Sequence, residues 1–190
     1  MVKQAVLMGG AITAVLFGGT FSSLILGESA TQAQPRSPMM TQKKPSVELL
    51  LSVEKQVIQK NPQGKEIKTW LGMAGNNVAA KPGDVLRFTL KAENKGDRPA
   101  KKLALIQPVP QGTVYLLNTA ISESPASIVY SIDGSKTFVA NPTVKVSLPN
   151  GTVVERPAPA EVYTHVRWFL GRELAPKATS KVFYQVKVKS

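Results

Sequence analysis

Strict alternation constrains this chain more than any other feature. From Val85 to Glu93, Leu86, Phe88, Leu90 and Ala92 fall on one face, while Arg87, Thr89, Lys91 and Glu93 fall on the other. A period of two fits a pleated strand with one side on a core and the other in water. Lys81-Pro82-Gly83-Asp84 before it and Asn94-Lys95-Gly96-Asp97 after it supply the residue types that tight turns need. The last strand repeats the pattern, with Val182, Tyr184, Val186 and Val188 inward and Lys181, Gln185, Lys187 and Lys189 outward.

Further short runs are predicted as strands: 47–58, 66–70, 102–107, 113–117, 128–132, 143–148, 152–156 and 162–170. Nowhere does helical spacing of apolar residues persist for three turns. The reading is an all-β chain, an immunoglobulin-like antiparallel sandwich formed as a single domain over residues 47–190. Hydrophobic residues at 43% suffice for a core, and with no Cys the two sheets must be joined by packing alone. The expected core is Leu86, Phe88, Leu90, Val186 and Trp168, the last in phase with Val162, Val166 and Leu170 and placed centrally between the sheets.

Residues 1–33 differ in kind. Lys3 is the only charge before Glu28, the stretch 5–26 is apolar or small, and Thr31-Gln32-Ala33 ends in a small-residue site. This predicts a signal helix cut after Ala33, with Ala30 as a second cut. The rival is an uncleaved anchor through residues 5–26, long enough to cross a hydrocarbon core of about 30 Å. Without Cys no acylated lipoprotein anchor can be made. Residues 34–46, with Pro35, Pro38, Pro45 and Lys43-Lys44, read as a linker.

Pro82-Gly83-Asp84 with the alternating strand after it, Glu93-Asn94-Lys95-Gly96-Asp97, Ala100, and Leu103–Val109 with Pro110-Gln111-Gly112-Thr113 together resemble the prokaryotic conserved-repeat domain known as domain of unknown function eleven. Leu174-Ala175-Pro176-Lys177-Ala178 before the last strand is similar to that domain's final hairpin. Gln107 stands where an acid is usual, and Lys177 where Gly is usual. The resemblance implies an immunoglobulin-like sandwich of exported, cell-wall and outer-surface proteins, without catalysis and without a named ligand.

Ser131-Ile132-Asp133-Gly134-Ser135-Lys136-Thr137-Phe138 is close to the Asp-box pattern of secreted β proteins, with Ser135 in place of Gly. Asp133 can accept N–H bonds across a tight turn, Thr137 can support it, and Phe138 is expected to tuck under the hairpin. That reads as turn chemistry, and an Asp-box glycoside hydrolase remains a distant alternative. Asn150-Gly151-Thr152 is formally a glycosylation sequon, but between two alternating runs it signals a hairpin. His165, out of phase with Trp168, is expected at a surface or sheet edge. No thiol, His pair or converging pair of acids marks an active site, so the chain reads as non-enzymatic and implies no cofactor or metal.

The net charge of +12 exceeds ordinary expectation. Lys3 and Glu28 cancel, so residues 34–190 keep all of it. Lys101, Lys102, Lys181, Lys187 and Lys189 are candidate contacts for a polyanion or a partner surface protein. The same lysines would serve equally as a solvated face that discourages edge pairing. Export argues against nucleic acid and for anionic envelope polymers: lipopolysaccharide, phosphate-bearing or sulfated glycans, peptidoglycan peptides. The second function reading is a module that binds neutral glycan or an added peptide strand, with Tyr115, Tyr163 or Phe169 as exposed aromatics.

Overall fold

The computed structural model describes residues 44–73 and 79–190 and the backbone of Thr13–Val15. Its strands are β1 (Thr13–Val15), β2 (Val47–Lys60), β3 (Glu66–Gly72), β4 (Val85–Asn94), β5 (Ala104–Pro108), β6 (Thr113–Tyr115), β7 (Ile121–Ser122), β8 (Ala126–Ser131), β9 (Thr143–Ser147), β10 (Val153–Pro157), β11 (His165–Leu170) and β12 (Thr179–Val188). One sheet runs β3-β2-β4-β12-β6 with β7 also on β12, a second runs β1-β5-β11-β8, and β9 and β10 form a separate hairpin. Every pairing is antiparallel.

The alternation in β4 translates directly into burial: Leu86, Phe88, Leu90, Ala92 and Asn94 are buried and the residues between them are half-buried. Opposite them Val182, Tyr184 and Val186 of β12 are buried in register, and Phe88 stacks on Tyr184 with ring centres 5.5 Å apart. From the second sheet come Leu105, Val166, Trp168 and Leu170. Trp168, fully buried, meets Tyr184 at 6.1 Å across the two sheets. All four tyrosines lie in one cluster, with Tyr115 between Tyr130, Tyr163 and Tyr184.

Several expectations need correction. Thr13–Val15, inside the stretch read as a signal helix, is a strand paired with Ala104–Ile106, and the other residues of that stretch lie outside those described. Strand β5 starts at Ala104 rather than Lys102, because Lys102 takes a left-handed φ of 52° and turns the chain. Asn118, at φ 62°, similarly follows a strand that ends at Tyr115. Val162 belongs to a short 3-10 turn, Ala160–Val162, and the strand begins at His165. His165 is half-buried on β11, which lies between β5 and β8, and so is at no sheet edge.

Candidate functional site

At one end of the two sheets, the β4–β5 loop lies against the β11–β12 loop. Asn94 is the reason. Fully buried at the last position of β4, its Nδ2 donates to the carbonyls of Arg98 at 2.6 Å and Leu174 at 2.9 Å, while its Oδ1 accepts from Gly96 N–H at 3.1 Å. Ala100 and Leu174 exchange two backbone hydrogen bonds of 2.9 Å, and Lys177 N–H donates to Asn94 C=O at 2.7 Å. Gly96 admits the incoming chain: a Cβ there would stand 2.7 Å from Ser46 N and 2.9 Å from Lys44 O.

These two pinned loops expose six cations: Lys95, Arg98, Lys101, Lys102, Arg172 and Lys177. Lys95 pairs with Glu93 and Glu48, and Lys101 reaches Glu173 at 3.8 Å. Among the described residues, Arg98, Lys102, Arg172 and Lys177 have no carboxylate partner. Lys177 Nζ donates to the Lys95 carbonyl at 2.6 Å, which leaves its charge unneutralised. Lys102 and Lys177 both sit at left-handed φ, 52° and 63°. A non-glycine residue there costs about 1–2 kcal/mol, and such strain gathers where a side chain is needed.

The five lysines named from the sequence therefore separate. Lys101 and Lys102 belong to the loop end. Lys181, Lys187 and Lys189 continue one outward row on and beyond β12, but Lys187 lies six residues from Lys181, about 20 Å along a strand. Lys181 is opposite Lys91 in register and bonded to Glu123 at 3.4 Å. Phe183, which the sequence reading passed over, occupies the middle of this row. Arg87 lies beneath it at 5.7 Å and against Trp70 at 4.4 Å, with Glu54 accepting from two of its nitrogens at 2.7 and 2.8 Å. The big sheet's outer face thus mixes charges. The loop end is predominantly cationic, with six cations against Asp97 and Glu173 on the same two loops.

The Asp133 turn closes on itself. The carboxylate accepts from Ser131 Oγ at 2.7 Å, Thr137 Oγ1 at 2.6 Å, and the N–H groups of Lys136 and Thr137 at about 3 Å. These bonds, that from Thr137 Oγ1 foremost, hold its pKa well below the usual carboxylate range. Both oxygens are committed to the turn. Phe138, half-buried, stacks on Arg167 and meets His165 edge-on at 6.4 Å. Of the three aromatics named for the second function reading, Tyr115 is buried, Tyr163 is half-buried beside it, and Phe169 is exposed. Asn150 and Gly151 form the β9–β10 turn, with Gly151 at φ 80°.

Comparison with protein-family models, with curated proteins and with solved structures finds no match to this chain.

Proposed function

We propose that this protein is an exported, non-enzymatic interaction module of the bacterial cell envelope, an immunoglobulin-like sandwich that holds acidic polymer at its loop end. The carrying observation is the set of four cations without a carboxylate partner among the described residues, Arg98, Lys102, Arg172 and Lys177, on two loops fixed together by buried Asn94. Such a cluster attracts polyanions by summed potential and requires no pocket. The leader-like residues 1–33 and the resemblance of Pro82–Thr113 to exported repeat domains support an envelope setting.

The left-handed lysines supply the test. Substituting Gly at Lys102 and Lys177 removes charge while relieving backbone strain, so the double variant is expected to be as stable as the parent or more so, by about 1 kcal/mol per site. Its affinity for a model polyanion such as heparin should fall roughly 3- to 30-fold at low salt, from about 0.3–1 kcal/mol per exposed charge. Retention of the parent should weaken steeply as ionic strength rises. Ser135→Gly, which relieves the same strain at φ 72° away from the loop end, is the control and should leave retention unchanged. Salt-independent retention, or a double variant that binds like the parent, would overturn the reading.

A second reading, capture of a peptide strand, is favoured by one observation: the outer edge of β5 already accepts Thr13–Val15 as an antiparallel neighbour.

A further inference from the structure

Two arginines occupy comparable positions on the outer faces of the two sheets, and among the described residues only one has a counter-ion. Arg87 lies against Trp70 and Phe183 and is neutralised by Glu54. Arg167 projects from the middle of β11, with Ile106 of β5 and Val129 of β8 beside it in register. Its guanidinium carbon is 3.4 Å from the Phe138 ring centre and 5.5 Å from that of Phe169. Its Nε is buried without an acceptor, and no carboxylate among the described residues pairs with it. Desolvation holds its pKa down. Stacking on Phe138 stabilises the guanidinium but does not neutralise it, so an anion that met it would find a partly desolvated partner.

The floor around it is specific. Phe138 directly follows the turn that Asp133 closes and stacks on Arg167, and Phe169 is exposed. Ile106 and Val129 are half-buried. A guanidinium presents a planar fork that matches a carboxylate, and the apolar rim rewards an apolar group next to it.

We propose that the outer face of β11 is a carboxylate-binding site, in which Arg167 takes the carboxylate of a peptide C-terminus while Phe138, Phe169, Ile106 and Val129 hold its apolar last side chain. The site is separate from the loop end, and neither needs the other.

His165 reports on it. It is the chain's only histidine, two residues from Arg167 on the same face. Burial and the Arg167 charge hold its pKa below the ordinary value, and Asp133 of the β8–β9 turn opposes them. Pro108 and Ser131, opposite it on β5 and β8, carry no charge. An anion on Arg167 cancels part of the repulsion and must raise the His165 midpoint. The experiment is an NMR titration of the full chain with an acetylated peptide ending in Val-Leu as free acid, and with its amidated twin. The acid is expected to bind at least tenfold more tightly than the amide and to move the His165 midpoint upward. Arg167→Gln should abolish the difference between the two peptides, and Arg167→Lys should retain part of it, while Lys102→Gly/Lys177→Gly binds as the parent does. Acid and amide binding alike, an unmoved His165, or an Arg167→Lys variant that folds and binds the acid as tightly as the parent would each overturn the proposal.

Discussion

At the scale of single residues, the Asp133 carboxylate ties its own turn together. Asp133 and Thr137 sit four apart, within reach of one turn, so their partnership follows from spacing alone. Its acid dependence follows as well. The folded carboxyl has a lowered pKa, so its contribution is fully present above the unfolded value near 3.9 and is lost as pH falls through the folded one. Asp133→Asn should therefore destabilise the protein by a constant amount above about pH 7, where His165, whose pKa the Asp133 charge raises, is neutral, and the gap should close as the pH drops below about 4. Urea titrations of both proteins across that range check this; a gap undiminished below about pH 3 would contradict it. Nothing local to Phe138 points to Arg167, which joins it only when β11 pairs with β8. Lys102 shows a different blind spot, since it holds a left-handed φ without being Gly or Asn, whereas Ser135 and Lys177, also left-handed, stand where the matching patterns carry Gly.

At the scale of elements, period two located the strands because burial on one face leaves no other arrangement. Strand ends were harder, since a left-handed residue or a 3-10 turn stops a strand without interrupting the apolar pattern. Strand order was not readable at all: His165 looked like an edge residue, yet β11 has neighbours on both sides. That central place makes Trp168 the largest side chain in the core, and it carries an irregularity, an indole Nε1 buried with no partner. Trp168→Ala should cost about 3–5 kcal/mol, the range for an emptied aromatic site. Trp168→Phe should cost less than about 1.5 kcal/mol, because deleting an orphaned donor returns about 1–3 kcal/mol against the lost volume. Chemical denaturation of the two variants decides it, and a Phe variant as damaged as the Ala variant would mean that the indole N–H is satisfied.

At the scale of the whole molecule, what matters is how the sheets bring distant segments together and which edges they leave. Lys101 and Lys102 reach Arg172 and Lys177 only through the Ala100–Leu174 bridge, so the loop end could not be assembled from sequence, although Lys101 and Lys102 could be named. The same two lysines precede β5, whose outer edge carries Thr13–Val15. An uncovered β-edge invites pairing with other chains, and proteins guard against it with short strands, flanking charge and proline. Strand β5 has all three features: five residues, Lys101-Lys102 before it and Pro108 at its end. If residues 1–33 are removed on export, these guards are what remains on that edge, which is then free for a peptide strand. Hydrogen exchange should resolve the two states. Amides of Ala104–Ile106 that point away from β11 are expected to exchange at least tenfold faster in protein beginning at Gln34 than in the full chain, with amides of β4 and β12 unchanged. A synthetic peptide spanning residues 11–17, added to the shortened protein, should restore their protection, and an Ala14→Pro version, lacking one N–H and unable to extend the ladder, should not. Equal exchange in both proteins would mean that Thr13–Val15 does not close this edge, and the strand-capture reading would then lose the contact on which it rests.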